Sequence, residues 1–247
     1  MLRFESVSKS FGPVRALDGV SLDVPAGVVT MVAGADGAGK STLLKAAVGL
    51  VGIDGGRILF EGRPARPGFA DVRRAAGYMP EKSALYPDLT AAETLRFVAD
   101  IHGLPRDRSR RTVEALLAWS ALAPFAGRSV AVLSGGMRQK LALCAALVPG
   151  PRILVLDEPT TGIDPISRRD VARLIAGLKA EGKAVLMSAS DLAEAESADA
   201  LLYLKDGRAV LQGDVARLKA AYGGTPSPAI EDVCLAAERD LAGRPRP

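Results

Sequence analysis

The chain has 247 residues, 48% of them hydrophobic and 24% charged, with a net charge of +4. This is enough apolar material for a large core, and it excludes a disordered chain. No uncharged apolar run approaches the roughly 18 residues that span a bilayer, and MLRFESVSKS lacks the apolar stretch of a signal peptide, so a cytoplasmic protein is expected. Basic residues are interspersed with acidic ones, which argues against a nucleic-acid partner and fits a membrane-facing surface. Cys144 and Cys234 suggest neither a disulfide framework nor a zinc site, and Cys144 reads as a core residue.

Short apolar or alternating runs at 2–7, 20–24 and 28–33 read as strands. The next segment, GADGAGKST at 34–42, fits G-x-x-x-x-G-K-[ST]. In that pattern the backbone amides of Gly34, Ala35, Asp36, Gly37, Ala38 and Gly39 wrap nucleotide phosphates, Lys40 reaches them, Ser41 reaches Mg²⁺, and Thr42 completes the set at the start of a helix over 41–48. Further strands are expected at 57–60 and 76–79, separated by a Pro/Gly-rich stretch at 62–68. From Thr90 the pattern turns helical. Thr90 and Glu93 form a T-x-x-E capping box, and three helices run to Ile101, to about Trp119, and over 137–148, an inserted helical subdomain at about 88–149. His102, the only histidine, reads as a solvated helix C-terminal residue before Gly103.

LSGGM at 133–137 is a second small-residue turn entering a helix, so Ser134, Gly135 and Gly136 form a second candidate anion site. Met137, Leu141, Cys144 and Val148 recur at helical spacing, which predicts one core face with Arg138, Gln139 and Lys140 looking outward. The apolar strand at 153–156 ends in Asp157 and Glu158. Asp157 is expected at the sheet edge, holding Mg²⁺ directly or through water. Asp164-Pro165 opens a helix with Asp164 as its cap, and 184–188 is another strand. This alternation implies an α/β fold with a parallel sheet covered by helices, forming one domain over 1–222. A tail over 223–247 begins with a Gly/Pro-rich linker and carries a short helix at about 230–239. Two anion sites for one γ-phosphate suggest that the loop of one subunit faces the LSGGM of another, with ATP between them. The chain contains no asparagine, so the N-K-x-D guanine-reading motif is absent and adenine is favoured.

The order of phosphate loop, LSGGM and acidic strand end resembles that of the ATP-binding-cassette (ABC) ATPases. The resemblance spans essentially 2–240, and YMP at 78–80, LYPDLT at 85–90, LSGGMRQKLAL, DPISRR at 164–169 and IEDV at 230–233 bring it closest to drug-exporter ATPases, particularly the degenerate N-terminal cassette of tandem exporters. It implies a P-loop NTPase (RecA-like) core with an antiparallel β subdomain and an inserted helical signature subdomain. It further implies ATP and Mg²⁺ as ligands, hydrolysis coupled to transport, a second cassette and an integral membrane permease as partners, and a place on the inner face of the cell membrane. By the same resemblance Glu158 polarises the attacking water, Glu81 in the Q-loop is a Mg²⁺ ligand, 161–164 is the D-loop, and 82–88 borders the permease. Phe11 stands where the family stacks an aromatic on adenine, with core packing as the alternative.

Three positions depart from the family pattern. Ser190 occupies the place of the switch histidine, and no other histidine can substitute. Glu81 replaces a glutamine, a milder change because a carboxylate also ligates Mg²⁺. Asp36 replaces a common asparagine, either as an unfavourable charge near the triphosphate or as drift. The Ser190 change favours pairing with a histidine-containing second cassette, with a homodimer as the alternative. It also keeps open a largely non-hydrolysing regulatory cassette. A soluble ABC ATPase acting on ribosomes or DNA is the other class; such proteins usually carry two cassettes or long coiled-coil insertions, and this chain shows neither. Import of a small nutrient is the weaker transport reading.

Overall fold

The computed structural model describes residues 1–65, 67–82, 85–221 and 228–242. Ser83, within the expected permease-facing segment, and the linker from Gly223 lie outside the described residues. The chain runs β1 (Leu2–Phe11), β2 (Val14–Val24), β3 (Val29–Ala33), α1 (Lys40–Ala47), β4 (Gly55–Phe60), β5 (Arg63–Pro64), α2 (Ala70–Ala75), β6 (Ala76–Met79), α3 (Ala91–Ile101), α4 (Arg106–Trp119), α5 (Gly135–Leu147), β7 (Ile153–Leu156), α6 (Pro165–Ala180), β8 (Ala184–Ala189), β9 (Ala200–Lys205), β10 (Arg208–Asp214), α7 (Val215–Ala221) and α8 (Ile230–Ala242).

The strands form two sheets, a four-stranded antiparallel one in the order β2-β1-β4-β5 and a six-stranded one in the order β10-β9-β3-β8-β7-β6. In the second sheet all neighbours are parallel except β9 and β10. Every residue of β3, β7 and β8 is buried, as expected of parallel strands covered on both faces. One face, including Val32, Val155 and Leu186, packs on α1 and the antiparallel sheet. The other, including Met31, Leu154 and Met187, packs on α5, α6 and α8. Each fully buried Leu or Ile in these layers contributes about 1.5–3 kcal/mol.

A third cluster joins α3, α4 and α5 through Leu95, Val113, Leu117, Leu141 and Cys144. Its helices start where local chemistry dictates. Thr90 and Glu93 form the expected reciprocal capping box on α3, and Asp164 caps α6 through the amides of Ile166 and Ser167 at 3.0 Å. His102 is exposed at the C-terminus of α3, and both cysteines are buried.

The reading of the helix after LSGGM as one core face needs correction. Leu141, Cys144 and Val148 face the helical cluster, while Ala142, Leu143, Ala146 and Leu147 face the sheet, so α5 is buried on two sides. Gln139 and Lys140 consequently do not look freely outward. The Gln139 Oε1 atom is buried without a hydrogen-bond partner, and Lys140 is drawn to Asp170 at 3.4 Å. The first half of β2 and all of β9, β10, α2 and α7 are absent from the sequence reading. The signal for the β9–β10 hairpin lies in Asp206-Gly207, both with positive φ, set between an apolar and an alternating run.

Candidate functional site

The phosphate loop leaves the C-terminal end of β3 and enters α1 with no slack. A Cβ on Gly34 would lie 2.3 Å from the Leu204 carbonyl oxygen, and one on Gly39 would lie 2.3 Å from that of Ala16, so neither position accepts a side chain. Ala35, Asp36 and Gly37 form the exposed rim, Ala38 is buried beneath them, and Thr42 follows Ser41 on α1. Gly39 is left-handed and no side chain caps α1, so the leading amides of the helix remain for an outside anion.

Lys40 is only 5% exposed. It folds back to donate to the carbonyls of Gly34 at 2.8 Å and Ala35 at 3.3 Å. It also donates to Ser190 Oγ at 2.8 Å, and it lies 3.3 Å from Glu158 Oε1. Ser41 Oγ donates to Asp157 Oδ1 at 3.0 Å. These are hard oxygen donors at a strand end, the kind of set that takes Mg²⁺ together with phosphate and water. Among the described residues no three His, Cys, Asp or Glu side chains cluster as a protein-only metal cage. The residues present therefore fit a magnesium-bearing polyphosphate.

Glu158 follows Asp157 in a left-handed conformation, φ 52°, unusual for a side-chain-bearing residue. Hydrogen bonds from both of its ends hold it there. Its amide donates to Ser188 Oγ at 2.9 Å, Thr161 Oγ1 donates to Oε2 at 2.6 Å, and the Ser190 hydroxyl lies 2.7 Å from Oε1. Burial pushes its pKa up, but the hydrogen bonds from Thr161 and Ser190 and the charge of Lys40 outweigh it, leaving the carboxyl below its ordinary value. Glu158 is thus an anionic carboxylate with a fixed orientation. Ser188, which the sequence reading does not single out, also donates to Asp157 Oδ1 at 2.7 Å and so ties the two acidic residues together. Its position beside Asp157 is set by the pairing of β7 with β8, where Leu156 faces Met187.

The other expected residues lie around this cluster. Phe11, at the end of β1, is 50% exposed with Lys9 Nζ 5.3 Å from its ring centre, so the core-packing alternative does not hold. Its pairing partner Val14 is close in sequence to Ala16, whose carbonyl abuts Gly39, which brings this end of β1 near the phosphate loop. Glu81 is exposed just beyond β6, next to β7. Its charge, after burial and the charge of Asp157, helps push the Tyr78 hydroxyl up to about 12. Ser134 caps α5 by accepting from the Met137 amide at 3.2 Å, with Gly135 beside it. Among the described residues neither Ser134 nor Glu81 makes a hydrogen bond or ion pair with the phosphate loop. Gly136 is buried where a Cβ would lie 2.0 Å from Ser167 Oγ, so helix packing alone requires glycine there.

The sequence profile of the ABC transporter family matches residues 17–161, more than half of the chain. The chain is 39% identical over 201 residues to the "Probable multidrug ABC transporter ATP-binding protein YbhF" of Escherichia coli (strain K12), covering 81% of this chain and 35% of that protein, so it spans only 35% of that relative's length. It is 34% identical over 213 residues to the lantibiotic transport ATP-binding protein SrtF of Streptococcus pyogenes, covering 86% of this chain and 90% of the other. The fold is similar, with a TM-score of 0.77 and 25% identity over 87% of this chain and 98% of the other, to the dimeric post-hydrolysis structure of an ATP-binding cassette bound to ADP and Pi. With a phosphate loop, signature turn and acidic strand end set on this two-sheet frame, the chain belongs to the ATP-binding subunits of ABC transporters.

Proposed function

We propose that the protein is the ATP-hydrolysing subunit of an exporter of drugs or other hydrophobic compounds, working as a nucleotide-sandwich dimer on a separate membrane permease. The observation that carries this reading is the convergence of Lys40, Ser41, Asp157 and Glu158 at the C-terminal edge of one parallel sheet, where open α/β folds bind ligands. Lys40 and the amides of 34–42 bind the phosphates. Ser41 and Asp157, with Glu81, are the residues to hold Mg²⁺, which supplies charge neutralisation on the phosphate oxygens. Glu158 orients the attacking water and accepts its proton, and Phe11 stacks on adenine. Ser134, Gly135 and Gly136 serve the γ-phosphate in the opposite subunit. The names of the relatives, one multidrug and one lantibiotic transporter, support export.

No helix among the described residues is long and apolar enough to cross a membrane. A groove of about 410 Å³ between β6 and α3, lined by Tyr78, Met79, Pro80, Leu85, Tyr86 and Phe97, supports docking of the permease next to segment 82–88. Tyr86 and Phe97 pack edge-to-face there at 5.4 Å and stay exposed.

Ser190 favours a second reading of this chain's own site. Its hydroxyl reaches Lys40 and Glu158 but brings no charge, so cleavage at this site is slow, and a histidine-containing second cassette supplies the faster site. Glu158→Gln tests both. It should preserve ATP binding, lower turnover by about 10² to 10⁴ and accumulate an ATP-bound dimer seen by light scattering. Unchanged turnover of the purified chain alone removes Glu158 from the reaction, whereas in the assembled pair the asymmetric reading expects a smaller loss than from the same change in the partner cassette. An equal loss from the same change in the partner cassette refutes the asymmetric pair.

A further inference from the structure

Two of the departures noted in the sequence, Asp36 and Ser190, are 154 residues apart and meet at one hydroxyl. Ser190 Oγ lies 2.8 Å from Lys40 Nζ, 2.7 Å from Glu158 Oε1 and 2.9 Å from Asp36 Oδ1. Asp36 Oδ1 is also 3.8 Å from Lys40 Nζ. The hydroxyl has a single proton, so it accepts from the lysine and donates to one carboxylate at a time. Two carboxylates therefore compete for one ammonium and one hydroxyl.

The two carboxylates differ in what holds them. Glu158 is buried and has Thr161 and the Ser190 amide as further donors. Asp36 has a side chain 97% exposed, and its ties to the site are the Ser190 hydroxyl and the attraction of Lys40. Without that hydroxyl, water would draw the Asp36 side chain away from the loop.

We propose that Asp36, held in place by Ser190, is a specificity-determining residue that weakens binding of a nucleoside triphosphate relative to the diphosphate. The inference rests on the nucleotide-binding reading above. Lys40 serves the outer phosphates, and a carboxylate 3.8 Å away offsets its charge where the terminal phosphate brings its own. The diphosphate lacks that terminal group and meets less of the repulsion. The histidine-to-serine change and the asparagine-to-aspartate change thus form one device, because the first supplies the hydroxyl that positions the second.

The test is a double-mutant cycle read by equilibrium binding on the full chain, with the magnesium complexes of AMP-PNP and of ADP as probes. Asp36→Asn keeps the shape of the side chain and one acceptor oxygen for the Ser190 hydroxyl and removes its charge. It should tighten AMP-PNP about fivefold and change ADP by less than about twofold. In a Ser190→Ala background the same substitution should tighten AMP-PNP by less than about twofold, since the carboxylate has already swung away. Equal effects on both nucleotides, no effect on either, or the same gain in both backgrounds would overturn the proposal. Lys40→Ala serves as the control. Loss of binding of both nucleotides keeps the nucleotide reading intact whatever Asp36 does, and unchanged binding removes that reading instead.

Discussion

The two glycine-rich turns of this chain both lead into helices, yet they are finished differently. At the phosphate loop, α1 starts from left-handed Gly39 with no side-chain cap, and its own buried Lys40 is met by two carboxylates and two serines from the ends of β7 and β8. At LSGGM, Ser134 caps its own helix, Gly136 is pressed against Ser167, and the charged side chain bonded to the turn among the described residues is Arg138 of the same helix, which donates to the Leu133 carbonyl. The first is a site assembled within one chain. The second is a helix end closed by its own cap and its own packing. The difference teaches that a helix N-terminus becomes a binding site through what the rest of the fold converges on it.

The comparison is broken most severely at its centre. Lys40→Ala removes the cation of the phosphate-loop cluster and leaves Glu158 buried without it, so ATP affinity measured by titration calorimetry should fall about 100-fold or more. At the other turn the expected effects are on stability. Gly136→Ala gains about 1 kcal/mol of helix propensity but drives a Cβ to 2.0 Å from Ser167 Oγ and 2.3 Å from its Cβ, and overpacking of this kind costs about 1–3 kcal/mol. A net loss of about 1 kcal/mol, and at most about 2 kcal/mol, in chemical denaturation is expected, with nucleotide binding to the isolated chain unchanged. Unaltered stability would show that α5 and α6 separate easily. Ser134→Ala, which loses one long cap bond at 3.2 Å, should cost the least, about 0.5–1 kcal/mol. If it weakened nucleotide binding to the isolated chain, the two turns would not be independent.

What the sequence makes legible follows the range of the interactions involved. The phosphate loop, the capping box at Thr90, the cap at Asp164 and the acidic strand end are local patterns, and each appears where its spacing predicts. The burial of α5 on two faces is set by what lies on either side of it, which helical spacing within the segment does not record. Ser188 bonds to Asp157 and to the Glu158 amide because of the register between β7 and β8, a pairing of segments about thirty residues apart. The Asp36–Ser190 contact is more remote still. Asp36 and Ser190 are visible in the sequence as two separate oddities, and only the parallel alignment of β3 with β8, Ala33 beside Ala189, makes them neighbours.

The tight seat of Gly34 against Leu204 carries a consequence for stiffness. Leu204 belongs to β9, and α8 on one face of the sheet braces β9, with Tyr203 and Lys205 both donating to Glu238. The contact between β9 and the phosphate loop is backbone against backbone, with no pliable side chain to take up a displacement. The last helix of the chain is therefore part of the foundation on which the loop rests, and the compliance of the nucleotide site is set in part by a segment nearly two hundred residues away along the chain.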